Sequence, residues 1–418
     1  MNLGLSRTSS VLSKNTSKKR TALIVGAGVA GPVLAYFLHR YGVQPVVVER
    51  ASHLRKGGQV LDLRETAARE VVQRMGIANA IRENLSGEKG VHLVDRNGRI
   101  QATFRSDDFG GKGFISDIEI LRDRLVNILY DHTHRNVEYV FDDHPLSIND
   151  QENHVQVTFA SGKSRDFDLV IGADGIQSKT RRLVFSNKTQ KHYLGLNIAY
   201  FTIPRSPSDN EWGRWYNAPR GRTIILRPDN QGTTRVLLLF RSSDHGYENL
   251  NIDEKKAALQ KHYHDAGFEI SRILRELENT SEFYFETAVQ INMDRWSQGR
   301  VALVGDAAYG TTANGFGTSK AFIGAYLLAG EIGRSQNHTE AFKQYEDLMR
   351  PFVNKTQNMF PLALRITAPE TKTGIFVRNA LLTAVSKLLN TRLGAKMSQS
   401  KPTESGNVLP DYDSLLLR

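Results

Sequence analysis

Apolar residues along this chain keep three different rhythms. Short unbroken runs at Thr21–Val25, Gln44–Val48, Leu169–Ile171 and Val301–Val304 read as strands buried on both faces, the pattern of a parallel sheet. Two stretches that follow such runs, PVLAYFLHRYG from Pro32 and TSKAFIGAYLLAGEI from Thr318, are apolar enough to be helices packed on that sheet. Residues 191–289 change rhythm. There IAYFTIP, RTIILRP, RVLLLFRS and EFYFETAVQI alternate in polarity between turn-rich segments such as PRSPSDN and PDNQGTT, which predicts an antiparallel sheet. A last helical pattern covers 374–397, with Val377, Leu381, Val385, Leu388 and Leu389 on one face.

The turn after the first run reads Gly26-Ala27-Gly28-Val29-Ala30-Gly31. Gly26 permits the tight turn, Gly28 lets the backbone approach a pyrophosphate, and Gly31 lets helix and strand pack closely. Pro32 suits the first helical turn, where its missing N–H costs nothing, and the helix start offers unpaired N–H groups to phosphates. Glu49 ends the second run, where a carboxylate accepts both ribose hydroxyls and repels a 2′-phosphate, favouring NAD or FAD over NADP at this site. Asp174-Gly175 ends the third run and Asp306 the fourth. Ligands of a parallel sheet sit outside the carboxyl ends of its strands, so Asp306 is placed to meet a cofactor. A glycine-rich loop, YGTTANGFG, follows, and the next helix offers Thr318 and Ser319 as candidate caps. Thr21 to Leu38 carries no charge and is long enough to span a membrane. Its glycines and Pro32 divide it into strand, turn and helix instead, and the chain reads as soluble.

Composition narrows the chemistry. Of 418 residues none is cysteine, which excludes disulfides, cysteine-ligated zinc, iron–sulfur clusters and thiol nucleophiles. The net charge is +11, but +5 falls in residues 1–20 and +3 in 366–418, so the basicity belongs to the tails and a nucleic-acid partner is not expected. Residues 1–20 read as a disordered basic tail in a cytoplasmic protein, with organellar import as the alternative. His132, His134, His262 and His264 read as solvated histidines, and no metal site is expected.

GAGVAG with Glu49-Arg50, the GADG segment at Gly172–Gly175 and the GDAA segment at Gly305–Ala308, in this order, resemble the para-hydroxybenzoate hydroxylase family of FAD-dependent aromatic monooxygenases. Arg122, in Glu119-Ile-Leu-Arg122, and the segment Gly57-Gly58-Gln59 to Arg64 match further family features. Asn407-Val-Leu-Pro-Asp-Tyr412 recurs in a branch similar to the tetracycline-inactivating flavin monooxygenases. The resemblance implies an α/β fold (α+β overall). A Rossmann-like FAD-binding domain would run over 21–190 and 290–368, interrupted by a substrate-binding β-sheet domain at 191–289 and followed by a C-terminal helix and tail at 369–418.

The same resemblance implies that Gly26, Gly28 and Gly31 hold the FAD pyrophosphate and Glu49, beside Arg50, the adenosine ribose. Arg122 and Gly305-Asp306 would hold the diphosphate and ribityl chain, Gly58 would skirt the flavin, Asp174-Gly175 would support it, and Gly315 and Gly317 would close the loop near it. No catalytic side chain is singled out, because the flavin carries the chemistry. NAD(P)H would reduce FAD, O2 would react with the reduced flavin, and one oxygen atom would pass to an aromatic or polycyclic small molecule. An FAD-dependent oxidase or dehydrogenase on the same fold, releasing hydrogen peroxide, is the alternative. Arg227 and Arg241 read as ordinary solvent-facing arginines, with the flavin edge or an anionic substrate as the alternative. Lys320 would add positive potential, and the C-terminal helix could touch a membrane surface weakly. Relatives commonly read GDAAH followed by prolines. Here Tyr309 replaces the histidine and Thr311, Thr312 and Ala313 replace the prolines, which predicts a more flexible loop.

Overall fold

The computed structural model describes residues 19–55, 57–108, 116, 118–185, 188–243, 246–312, 315–358, 366–389, 391 and 409–416. Most of the basic tail, Ala313, the end of the predicted C-terminal helix and Asn407-Val408 lie outside the described residues.

Thr21–Val25 lies inside a six-stranded sheet, between Gln44–Glu49 and Leu169–Gly172, all parallel. Glu138–Phe141 extends it on one side, Val301–Leu303 on the other, and Ser297–Gln298 closes that edge antiparallel. The unbroken apolar runs are explained by burial on both faces. Helices Ala30–Arg40 and Gly317–Arg334 share its core, as do Val155, Val157 and Phe159 of an antiparallel meander. Backbone hydrogen bonds continue one residue beyond three strands, from Gly26 N to Val48 O (2.8 Å), Ala173 N to Val25 O (2.8 Å) and Val304 N to Gly172 O (2.9 Å). All three motif turns therefore leave the sheet at one edge.

A second sheet of seven strands runs in the order Phe283–Met293, Thr189–Pro204, Thr233–Arg241, Arg222–Pro228, Trp212–Ala218, Gly90–Val94, Ile100–Arg105. Its last two strands come from outside 191–289, and Gly90–Val94 joins Trp212–Ala218 in parallel. Ile224, Leu226, Val236, Leu238 and Phe240 on one face form a core with helices Ile252–Tyr263 and Ile270–Asn279. The first of these starts with a capping box, in which Asn251 accepts from Glu254 N and Glu254 from Asn251 N.

The C-terminal helix, Lys372–Leu389, docks Leu382, Val385 and Leu389 on Val91, Leu93, Ala102 and Phe104. Val377, Leu381 and Leu388, expected on the buried face, are exposed. The helix is turned by polar anchors: Arg378 Nη1 donates to Asn217 Oδ1 (2.6 Å) and Ser386 Oγ to Thr103 O (2.7 Å). Among the described residues no helix is long and apolar enough to cross a membrane.

Candidate active site

The glycine turn is built as its sequence suggests. Gly26 has φ +111°, and a Cβ there would stand 2.6 Å from Ala173 O. A Cβ on Gly31 would overlap Gly26 O, whereas one on Gly28 would meet no protein atom within 4 Å. Gly26 and Gly31 are thus small for the protein's own packing, and Gly28 borders open space. Glu49 ends the neighbouring strand with Oε2 accepting from Ala27 N (2.9 Å) and Oε1 from Ala51 N (3.0 Å), while Arg50 is exposed. Beyond Glu49 a cavity of about 580 Å³ is lined by Ser52, His53, Leu54, Tyr130 and Phe141.

Gly58, with φ +111°, lies against the Arg122 stem, and Arg122 N donates to Gln59 O (3.0 Å). The Arg122 guanidinium has no hydrogen-bond acceptor among the described residues, and burial lowers its pKa despite Tyr284 and Glu49 nearby. Gly315, with φ +72°, approaches Asp62 and Arg64 of the same glycine-led segment, and Gly317 approaches Asp306 Oδ1. Solvent reaches the Asp306 side chain although protein surrounds it, as on the floor of a cleft. Burial there raises its carboxyl pKa against the pull of Lys320 and Arg181. Gly305 in turn packs toward Ala30, at the start of the first helix.

Several side chains do something other than expected. Both oxygens of Asp174 serve its own turn, accepting from Ser178 Oγ (2.5 Å), Thr180 N (3.0 Å) and Thr180 Oγ1 (3.1 Å), so it shapes the Gly175 loop from behind. Arg181, which the sequence left without a role, ties that loop to the third motif by donating to Ala307 O (2.7 Å). Thr318 and Ser319 do not cap the helix Gly317–Arg334, and among the described residues no side-chain cap hydrogen bond meets its N-terminus. Lys320 is fully buried, donates to Tyr309 O (3.0 Å), and is pushed by burial down to about 8. Tyr309 is buried against Trp296 and Tyr345, and residues 310–312 are pinned to Phe283–Met293 through Ile291 N–Gly310 O (2.8 Å) and Thr312 N–Val289 O (3.0 Å). This ladder supplies the restraint that the absent prolines do not. Neither candidate arginine is free: Arg227 is held by Glu88 and Glu119, and Arg241 pairs with Glu370 (3.0 Å). His262 is half-buried on Phe240 rather than solvated.

The large sheet turns its other face toward these residues. Its register sets Tyr284, Tyr200, Leu237, Ile225 and Trp215 in one row across five strands. With strands ~4.8 Å apart the row spans roughly 19 Å. All five are partly accessible, whereas Ile198, Leu239, Thr223 and Asn217 in the next row are buried. Tyr284 interacts electrostatically with Arg122, and Glu286, two residues on, with Asp306. Sequence alternation placed these residues on a strand but could not tell which face met the cofactor residues.

FAD fits this donor set. Open space at Gly28, helix amides without caps at Ala30 and Gly317, an arginine without an acceptor, and an accessible carboxylate match a diphosphate, a flavin edge and a ribityl chain. A Rossmann-like sheet joined to a second sheet that carries a partly accessible row defines the fold of a flavoprotein. Residues 19–358 match the FAD binding domain family, and the chain belongs to it. A flavin-dependent monooxygenase of Legionella longbeachae is 34% identical over 404 residues, covering 95% of this chain and 100% of that one. The FAD-dependent monooxygenase asL6 of Sarocladium schorii is 32% identical over 424 residues, covering 94% and 98%. The crystal structure of tetracycline destructase Tet(55) superimposes with a TM-score of 0.78 at 30% identity, covering 94% of this chain and 99% of that one. The protein is a flavin-dependent monooxygenase of the para-hydroxybenzoate hydroxylase type, in the branch similar to tetracycline destructases.

Proposed function

We propose that the protein takes electrons from NAD(P)H and passes one atom of O2 to a hydroxylated aromatic or polycyclic small molecule. The carrying observation is the accessible row from Tyr284 to Trp215, which meets the cofactor residues at its Tyr284 end. Its length suits a fused-ring substrate, and the name of the structural neighbour, a tetracycline destructase, supports that size class.

In this reading Gly28 lets the backbone approach the FAD pyrophosphate, and Gly26 and Gly31 shape the turn that presents it. Glu49 and Arg50 flank the adenosine ribose, and the cavity beside them takes the adenine. Gly58 and Arg122 border the diphosphate and flavin-bearing half, Asp174-Gly175 shapes the supporting turn, and Asp306, behind Gly305, accepts from ribityl hydroxyls. Gly315 and Gly317 bring backbone N–H groups to the flavin edge. Bound FAD supplies hydride acceptance and O2 activation. The chain's own contribution is orientation and field. Uncapped amides at the start of Gly317–Arg334, reinforced by Lys320, stabilise negative charge on the cofactor by about 0.3–1 kcal/mol, more where water is excluded. The aromatic and aliphatic row excludes water and presents ring faces to a planar substrate. On adding FAD the purified protein should show a bound-flavin spectrum, and a polycyclic phenol should accelerate NAD(P)H consumption. A protein that stays colourless with FAD contradicts the reading.

A further inference from the structure

At the cofactor end of the accessible row, two tyrosines converge on one carboxylate. Tyr284 and Glu286 lie on the face turned away from the packing helices, and the pairing of Tyr200 with Tyr284 and of Ile198 with Glu286 sets Tyr200 diagonally beside Glu286. Tyr284 Oη donates to Glu286 Oε2 at 3.3 Å, and the Tyr200 hydroxyl lies near enough to the same carboxylate to act on it electrostatically. Asp306, a second carboxyl in the third motif, lies close enough to act on Glu286 electrostatically. The nearby cations Arg122 and Arg55 act on Tyr284, and Lys320 acts on Asp306. Among the described residues no cation pairs with Glu286. A deep carboxylate fed by hydroxyls and lacking a counter-cation is poorly built as a structural ion pair and well built to exchange a proton.

We propose that Glu286 accepts the proton of a substrate hydroxyl, with Tyr200 and Tyr284 orienting and relaying it. The inference rests on the monooxygenase reading and narrows its substrates to phenols and enols. In the step the substrate O–H bond breaks, its electron pair stays on oxygen, and the proton forms a new O–H bond on the Glu286 carboxylate. No electron is transferred, and the resulting oxyanion enriches the carbon that will receive oxygen. Burial lifts the Glu286 carboxyl to about 7, with Tyr200 and Tyr284 holding it down and Asp306 adding to the lift. It is therefore a stronger base than an ordinary carboxylate, and one that works only above that pH.

The test compares FAD-loaded wild type with Glu286→Gln, using para-cresol, a phenol that keeps its proton in solution, as the probe in a buffer above the carboxyl's titration. Infrared difference spectra should show a protonated-carboxyl band when the phenol binds wild type and none in Glu286→Gln. The variant should keep its flavin spectrum and its reduction by NAD(P)H. Its kcat on an accepted phenol should fall roughly 10²-fold with KM little changed, and the acid limb near pH 7 should vanish. Retained turnover with the limb intact, or loss of FAD, overturns the proposal. Should Glu286→Gln not fold, Tyr284→Phe carries the test. It removes a hydrogen bond that stabilises the carboxylate, so the acid limb should move to higher pH, and an unmoved limb overturns the role. Wild type that makes peroxide but no oxygenated product sinks the parent reading, whereas hydroxylation indifferent to Glu286 sinks this inference alone.

Discussion

Single residues at this site separate cofactor binding from the protein's own packing. A Cβ at Gly31 overlaps Gly26 O, while one at Gly28 meets only open space. Gly31→Ala should therefore destabilise even the FAD-free protein, by about 1–3 kcal/mol or more in urea unfolding. Gly28→Ala should leave that transition in place and weaken only FAD affinity, as followed by flavin fluorescence. Lys320 permits a second test, through pH. Its folded-state pKa of about 8 lies below the ordinary lysine value, so below pH 8 both states are protonated and the folded state bears the full cost of the buried charge. The cost is about 3 kcal/mol. As pH rises through 8 the folded state loses its proton first, so stability of the FAD-free protein should rise. Lys320→Met should be more stable near neutrality and lack that rise. The three glycines and Glu49 were legible in the sequence because a tight turn and a strand end are local geometry. The roles of Asp174, Tyr309 and Arg181 were not, since each is decided by a neighbour distant in sequence.

Among the elements, the C-terminal helix is the instructive case. Its own periodicity pointed to Val377, Leu381, Val385, Leu388 and Leu389; of these Val385 and Leu389 dock, joined by Leu382, while the other three are exposed. Asn217 and Thr103, on strands far back in the chain, select the face by hydrogen-bonding Arg378 and Ser386. Removing the chain from residue 370 onward takes this helix away. The structure shows that such a cut also strips Leu409 and Tyr412 from the core around Gly317–Arg334. Tyr412 packs on Gly330 and bonds Glu331 (2.5 Å). Tyr412→Ala should cost about 3–5 kcal/mol, read as a lower melting temperature. Deleting Lys372–Leu389 alone should instead raise KM and spare FAD. Four strands of each sheet were plain in the apolar rhythm, but Glu138–Phe141 and Trp212–Ala218 were not, and the short run Gly90–Val94 gave no sign that it would widen the second sheet.

At the scale of the whole molecule, Arg227 ties the second sheet to the segment Glu119–Leu121 that leads into Arg122. It leaves the sheet to pair with Glu88 (2.5 Å) and Glu119. Burial opposes its charge, but Glu119 and Glu88 outweigh burial and raise its pKa. Burial likewise raises the carboxyl pKa of Glu88 and Glu119, against the pull of Arg227. Arg227→Met would leave two buried carboxylates without a partner, at a cost of about 3–5 kcal/mol. Because their folded-state pKa values lie above the ordinary range, the loss should be greatest at neutral pH and shrink as acid protonates both. Denaturant curves at two pH values check the sign. The fold class followed from the order of the apolar runs and three glycine-rich turns, whereas the tie between the second sheet and the segment leading into Arg122 rests on an ion pair of Arg227 with Glu119, more than a hundred positions away. The claim to which all of this leads is the transfer of oxygen to a ring substrate. It is tested most directly by supplying the FAD-loaded protein with NAD(P)H, a polycyclic phenol and isotopically heavy dioxygen, then weighing the product. The expected result is a product carrying one heavy oxygen atom. Hydrogen peroxide as the sole product, with FAD bound and reduced, would contradict it.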